Sequence, residues 1–319
     1  MGLVMSSYRV ALGEVLVELG REVRDLVVLD PDTPRSTGSI RFAREFPSRF
    51  VNVGISEQDL VSMAAGLAIS GKLPVATAFA MFLMRAWEQV RNTVARAGLN
   101  VKLVGTHAGL SAFMDGSSHQ VLEDVALMRV LPNFTVVSPA DTESLRELLR
   151  QVVLDVKGPT YFRLGRDNAF SVYSRSDAKY LRVGEVSILE DGSDLVILTY
   201  GAMVGISLMV RDILKREGLS VGVTDVHTIK PLDTHGVLKV VKGSNYVVVL
   251  EEHRPVGGLA SAITELLSDY GLFRRVLRLG VEGFGRSARD YLQLLNYLGL
   301  SPQLIAKKVV GWLGEVQTS

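Results

Sequence analysis

Residues 101–120 read V-K-L-V-G-T-H-A-G-L-S-A-F-M-D-G-S-S-H-Q. Val101–Thr106 is apolar enough for a buried strand. The hydrophobicity then stops, and a Gly- and Ser-rich loop carries His107, Asp115 and His119. A buried strand that ends in such a loop fits an open α/β sheet, where ligands sit outside the carboxyl ends of the strands. The pattern recurs. Leu26–Asp30, Pro74–Phe79, Thr135–Ser138 and Thr160–Leu164 are predicted strands, each bounded by Gly, Pro, Asp or Asn. Between them, Arg9–Gly20, Glu57–Gly71 and Phe82–Ala97 have apolar residues at helical spacing. A second series predicts strands at Asp194–Tyr200, Leu219–Val226, Tyr246–Glu251 and Arg275–Leu279. Its helices fall at about Val204–Glu217, Gly258–Tyr270, Asp290–Leu298 and Pro302–Trp312. Strand–helix alternation predicts an α/β protein of two three-layer α/β/α domains with parallel sheets covered on both faces. The polar stretch Ser171–Gly184 reads as the linker, giving domains of 1–175 and 185–319.

Composition narrows the function. The chain has 319 residues, long enough for two domains, and 47% of them are apolar, which supports packed cores. Lys and Arg number 35 against 34 Asp and Glu, for a net charge of +1. No basic stripe for nucleic acid and no polybasic membrane patch is expected. There is no cysteine, which removes disulfides, thiolate metal sites and a Cys nucleophile and fits a reducing cytoplasm. No apolar run reaches the ~18 residues of a membrane span. The opening M-G-L-V-M-S-S-Y-R-V does not read as a signal peptide. A cytoplasmic location is the expectation.

The residues just after four of these strands, Leu26–Asp30, Pro74–Phe79, Val101–Thr106 and Thr160–Leu164, hold most of the first domain's chemistry. His107, Asp115 and His119 suit the hydroxyls of a polyol or sugar, and imidazole moves protons near neutral pH. Their spacing matches no common zinc motif, and no metal ligands are expected on this chain. Y-F-R-L-G-R-D-N offers Arg163 and Arg166 as planar forks for phosphate or carboxylate, although alone they read as surface salt bridges. D-P-D-T-P-R-S-T-G-S puts Asp32 and Ser36 in a turn. Phe79 and Phe82, three apart, are either core or an aromatic platform. In N-V-G-I-S-E-Q-D-L, Glu57 interrupts an apolar run. It is either a helix-start residue, with Ser56 and Asp59 as a variant capping box, or a carboxylate held in a dry site. Taken together, these strand ends suggest a sugar-phosphate site beside an aromatic platform and a carboxylate.

The same segments resemble a known family. G-I-S-E-Q, A-F-A-M-F, T-H-x(7)-D-G-S-S-H-Q, D-P-D-T-P-R-S-T and F-R-L-G-R-D-N resemble the pyrimidine-binding domain of transketolase. D-L-V-I-L-T-Y-G, T-I-K-P-L-D and E-E-H-R-P-V-G-G-L-A-S-A resemble its C-terminal domain. The resemblance covers nearly the whole chain in the family's order. The family's diphosphate- and magnesium-binding G-D-G motif is absent from the sequence. The resemblance therefore implies one subunit of a split transketolase. An N-terminal transketolase subunit with the G-D-G domain would be the partner, in an assembly with two copies of each chain. Thiamine diphosphate would be the cofactor, with Mg2+ held mainly by the partner chain, and sugar phosphates the substrates.

The resemblance also implies roles. Glu57 would hydrogen-bond to ring nitrogen N1′ of the aminopyrimidine and favour the imino tautomer that takes the proton from thiazolium C2. Apolar surroundings from Val53, Ile55 and the Phe rings would raise its pKa. Phe79 and Phe82 would stack on or flank the pyrimidine, and Asp32 would lie near the cofactor. Arg85 stands where the family often has a tyrosine. His107, Arg166, Ser36 and Arg9 would hold the substrate phosphate. Asp115 and His119 would bind the donor's hydroxyls and help move its protons. His227, His235 and His253 read as structural. The implied reaction moves a two-carbon ketol unit from a ketose phosphate to an aldose phosphate. Alternatives are a subunit like 1-deoxyxylulose 5-phosphate synthase, which resembles F-L-M-R-A-W at 82–87, one like the beta chain of a 2-oxoacid dehydrogenase, or a non-catalytic interaction subunit.

Overall fold

The computed structural model describes residues 5–318, with side chains through residue 315. Its first sheet has seven strands. In spatial order they are Thr228–Lys230, Thr135–Val137, Thr160–Arg163, Lys102–Thr106, Leu73–Phe79, Leu26–Asp30 and Phe50–Asn52. All neighbours are parallel except Thr228–Lys230, which runs antiparallel to Thr135–Val137. Beside Leu26–Asp30 the winding reverses: the chain moves outward to Phe50–Asn52 and returns on the other side to Leu73–Phe79. A reversal of this kind opens a crevice at the carboxyl ends of the strands. The second sheet has the order Arg275–Leu279, Tyr246–Leu250, Leu195–Thr199, Val221–Asp225, Ser187–Glu190, with only the last strand antiparallel.

Helices cover both faces of the first sheet. On one side lie Tyr8–Glu22 and Thr142–Leu154. Leu12, Val15, Leu16 and Leu19 of the first pack with Leu145, Leu148, Leu149 and Val152 of the second. Asp141 starts the latter helix with a capping box to Ser144 and also accepts from the amides of Val172 and Tyr173, both at 2.8 Å. The predicted linker, 171–184, is thereby tied down at its start; the strand Ala169–Phe170 precedes it and it contains the helix Arg175–Ala178. On the other side lie Glu57–Ile69 and the segment after Phe79. Their apolar residues share one core with Val237, Leu259 and Ile263 of the second half of the chain.

Several expectations need correcting. The helix predicted at Phe82–Ala97 is rewound into Ala80–Leu83, a 3-10 turn at Met84–Ala86, Trp87–Gln89 and a π-helical turn at Val90–Ala95. The changes of pitch keep Leu83, Ala86, Val90 and Val94 all buried, and the Trp87 indole N–H is anchored on Leu127 O at 3.0 Å. The Ser56 capping box does not form. Ser56 precedes the Glu57–Ile69 helix without a side-chain cap. Arg163 is not in a surface salt bridge. It is 3% exposed, paired at 2.8 Å with Asp124, which is fully buried, and its Nη2 donates to Glu252 O at 3.0 Å. Tyr161 OH also donates to Asp124, at 2.8 Å.

Burial opposes the Arg163 charge, and Asp124, Tyr200, Glu252 and Tyr161 outweigh it and keep the guanidinium firmly protonated. Breaking one side of a buried ion pair leaves the other charge uncompensated, at a cost of about 3–5 kcal/mol. Asp124→Ala is therefore expected to lower the urea-unfolding free energy by about that amount. A loss below about 1 kcal/mol would mean that the pair is not the anchor described here.

Candidate active site

The expected site residues emerge from strand ends. Phe79 closes the Leu73–Phe79 strand, and Phe82 lies in the turn of helix that follows. Their rings stack at 5.2 Å between centroids and 7° between planes. His107, just past Lys102–Thr106, stacks on Phe79 at 3.7 Å and 16°. His119 returns from the same loop edge-on to Phe82 at 5.2 Å and to Phe79 at 6.3 Å. Two residues the sequence offered as core or platform and two loop histidines thus form one aromatic cluster.

His107 has a backbone φ of +57°, a left-handed conformation uncommon for a non-glycine residue. Its Nδ1 lies 3.0 Å from the Thr106 hydroxyl. That hydroxyl donates to Ala78 O at 3.2 Å, so towards His107 it accepts. Nδ1 then carries the proton and Nε2 the lone pair. Burial, helped by the charges of Arg166 and Arg9, pushes the imidazole down to about 3. His107 is therefore a neutral group whose free nitrogen accepts, which suits a hydroxyl better than a phosphate oxygen.

The cationic part of the cluster is beside it. Arg166 Nη1 lies 3.4 Å from Asp115 and its Nε 3.5 Å from Asp167, while Arg9 Nη2 lies 3.3 Å from Asp167. Ser7 also hydrogen-bonds to Asp167. The Arg166 amide donates to Asn168 Oδ1 at 3.2 Å, which sets the turn after the strand. Ser36 sits in the short helix Pro34–Thr37. No hydrogen bond or ion pair among the described residues joins Ser36 to the arginines, but its loop abuts Arg9. Gly38, at φ +96°, leaves Arg9 O only 2.1 Å from where a Cβ would stand.

Asp32, also at positive φ, is exposed and accepts from Asn52 Nδ2 at 3.0 Å. The buried acid of that turn is Asp30, which the sequence reading treated as a strand end. It accepts from the Thr33 amide (2.6 Å) and from the hydroxyls of Thr37 (2.7 Å), Thr77 (2.8 Å) and Ser39 (3.0 Å). Burial still raises its pKa. The run of Thr and Ser after Asp30 was the signal for this network.

Glu57 opens the Glu57–Ile69 helix and is 7% exposed. That helix packs against Ala80–Leu83. No side-chain hydrogen bond or ion pair to its carboxylate occurs among the described residues. Ile55 does not wall it in, contrary to expectation, because Ile55 is 84% exposed. A largely buried Glu57 whose carboxylate has no protein partner and still opens to solvent, next to the element that bears an aromatic stack, fits a heteroaromatic group with a ring nitrogen to meet it. The aminopyrimidine of thiamine diphosphate meets that description.

The sequence reading missed the support beneath the site. Tyr291, Glu252 and Arg163 form a buried chain between the two halves. Burial pushes the Glu252 carboxyl up to about 7, against the pull of Arg163. The doubled acid of E-E-H-R-P after an apolar strand was its only trace. Of the other histidines, His235 is exposed. His253 is fully buried, donating from Nδ1 to Arg254 O (2.6 Å) and accepting at Nε2 from the Ala126 amide (3.3 Å).

Comparison with known proteins agrees with this architecture. Residues 5–171 match the transketolase pyrimidine-binding domain and residues 184–305 the transketolase C-terminal domain. The chain belongs to the thiamine diphosphate-dependent transketolase family. It is 41% identical over 309 residues to a chain of Methanocaldococcus jannaschii that bears the name of a transketolase C-terminal section, with 96% of each chain covered. A structure described as a split gene transketolase, inactive β4 tetramer, superposes with a TM-score of 0.87 at 38% identity, covering 96% of this chain and 98% of that one. The 1-deoxy-D-xylulose-5-phosphate synthase of Thermomicrobium roseum is 33% identical across 98% of this chain, which spans 50% of the synthase. Among the described residues no helix is long and apolar enough to cross a membrane.

His227 is buried, and burial holds it down at about 4. His227 and His107 stay neutral in the fold while the unfolded chain takes up their protons below about pH 6.5. Their contribution to stability is present above that pH and is lost as pH falls towards 4 and 3. Glu252 acts in the opposite sense, costing stability as pH rises from the ordinary carboxyl range to about 7. Comparing single variants separates these effects. His227→Gln is expected to flatten the fall in urea stability between pH 6 and 4.5 by about 1.4 kcal/mol per pH unit. An unchanged slope would show that His227 is protonated in the folded chain.

Proposed function

We propose that this chain is the pyrimidine-binding and C-terminal subunit of a split transketolase, moving a two-carbon ketol unit from a ketose phosphate to an aldose phosphate. The observation that carries the reading is the convergence of Phe79, Phe82, His107, His119, Asp115, Arg166 and Arg9 at the strand ends of one sheet, with the unpartnered Glu57 on a helix packed beside it. The near full-length likeness to a split gene transketolase supports it. Residues 1–175 would supply the pyrimidine site and residues 185–319 the C-terminal domain. The cysteine-free composition supports a cytoplasmic location.

Thiamine diphosphate, when bound, would supply the carbon centre that carries the ketol unit. Glu57 would hold its proton on the aminopyrimidine ring nitrogen in a site shielded from water. Phe79 and Phe82 would flank the pyrimidine, with Asp32 at the cofactor's edge. Arg166 and Arg9, with Ser36, would take the substrate phosphate, which must compete with Asp115 and Asp167 for the guanidinium groups. His107 would accept from a substrate hydroxyl. His119 and Asp115 would bind the donor's hydroxyls, and His119 would shuttle their protons. A partner chain with a G-D-G domain would hold the diphosphate and Mg2+, in an assembly with two copies of each chain. The relative described as an inactive β4 tetramer supports a chain that self-associates and is inactive without that partner.

The test is the pure chain against the chain with its partner, given xylulose 5-phosphate, ribose 5-phosphate, thiamine diphosphate and Mg2+. Sedoheptulose 7-phosphate is expected only with both chains. Robust turnover by the pure chain would overturn the split-site reading. The likeness to the synthase and the F-L-M-R-A-W segment support a second reading, tested by offering pyruvate and glyceraldehyde 3-phosphate to the same assembly. In the assembly, Glu57→Gln is expected to lower turnover by about two to four powers of ten with the fold unchanged by circular dichroism. Turnover near that of the unaltered protein would remove Glu57 from the proton pathway.

A further inference from the structure

We infer that Glu252, a residue of the second domain, is a positioning residue that clamps the loop bearing His107, Asp115 and His119. Glu252 follows the Tyr246–Leu250 strand and is 3% exposed. Its Oε1 accepts from the Leu110 amide at 2.9 Å and from Tyr291 OH at 2.9 Å. Its Oε2 fills the space where a Cβ at Gly109 would stand, 2.5 Å from that point. Gly109 is at φ +61°, so it is the conformation of glycine and the missing side chain together that let the carboxylate reach the loop.

The clamp has a second point of hold. The Gln120 side-chain amide, at the far end of the loop, donates to Ala112 O at 3.2 Å and to Arg286 O at 3.1 Å. The Ala288 amide donates to Phe113 O at 2.9 Å. The loop is therefore gripped near its start by Glu252 and further along, at Phe113 and Gln120, by Ala288 and Arg286, all from the second domain. The clamp also reaches the other substrate loop. Arg163 Nη2 holds the Glu252 carbonyl at 3.0 Å, three residues before Arg166. Arg163, Asp124 and Tyr291 are the charged and titratable groups packed around the carboxylate, with Tyr8 close by.

The inference rests on the substrate roles proposed for His107, Asp115 and His119, so two readouts are needed. The first is amide hydrogen exchange of the whole chain, which depends on no activity. Glu252→Ala leaves the Leu110 amide without its carboxyl acceptor. Exchange at residues 107–119 is expected to quicken by about ten-fold or more, with the Leu26–Asp30 and Leu73–Phe79 strands unchanged. The second is kinetics of the assembly with the partner, xylulose 5-phosphate and ribose 5-phosphate. kcat/KM is expected to fall about ten-fold, KM rising through His107 and Asp115 and kcat falling through the displaced His119, because the loop moves and no reacting group is removed. Glu252→Gln keeps an oxygen that accepts from both donors and should restore both readouts.

Exchange unchanged in Glu252→Ala, or quickened equally in the central strands, would overturn the inference. So would a Glu252→Gln variant as impaired as Glu252→Ala. If Glu252→Ala does not fold, Tyr291→Phe takes its place, with a smaller quickening confined to the same loop expected and none counting against the clamp. Loss of ketol transfer by the unaltered assembly, with loop exchange responding as expected, would sink the proposed function and leave the clamp standing.

Discussion

A guanidinium held away from water needs a counter-charge within hydrogen-bond reach, and Arg163 has one in Asp124 at 2.8 Å. The rest of the architecture depends on that constraint. Arg163 ends a central strand of the first sheet, Asp124 starts the Asp124–Arg129 helix, and the carbonyl of Glu252 comes from the second domain. The charge is satisfied only when all three elements are docked. Tyr161 on the same strand and Tyr200 at the end of Leu195–Thr199 close the group, with Arg163 lying over the Tyr200 ring at 5.6 Å. Strand ends that would otherwise fray at a domain boundary are fixed there, and the loops that leave them inherit their directions.

The candidate site uses that rigidity for electrostatics. Two arginines and two aspartates stand together, so the cluster is close to neutral before any ligand arrives. An entering phosphate gains the guanidinium groups only as it displaces Asp115 and Asp167, and the proposed site would therefore select for a ligand that places its charge well. His107 adds no charge to this balance. Packed on Phe79 and pressed by Arg166 and Arg9, it stays neutral, and a neutral imidazole next to an aromatic ring suits hydroxyl recognition. Burial thus separates roles between residue types that the bare sequence leaves interchangeable.

Local pattern and long-range pairing were unequally legible. Leu26–Asp30 and Arg275–Leu279 stand where the alternation of apolar runs placed them, and the loops after the strands hold the cluster of Phe, His and Arg. Strand-end position is a property of the local run, so it can be read from one sequence. The fate of Arg163 could not be, because nothing near it in sequence says that Asp124 will meet it. The same is true of Glu252, whose target amide is 142 residues away. Ser56 failed as a cap although its spacing to Asp59 was suggestive, and Ile55 turned outward although its neighbours are apolar. In both cases the geometry at the helix start, with Ser56 bonded back to Gly54 O, decided against the motif. The π-helical turn at Val90–Ala95 is a further case, since its periodic pattern reads as an ordinary helix until the packing demands another pitch.

Thr228–Lys230 lies in the second half of the chain yet forms an edge of the first sheet, and Lys230 Nζ reaches back to Arg129 O at 2.8 Å. On a ribosome the first sheet therefore remains one strand short until the chain has been made past residue 230 and has cleared the exit tunnel. Until then the Thr135–Val137 strand has an open side, the kind of edge that invites pairing with another nascent chain. A gene cut at the apparent linker would make that exposure permanent. The two domains are separate as sheets, but as objects of synthesis they are finished together.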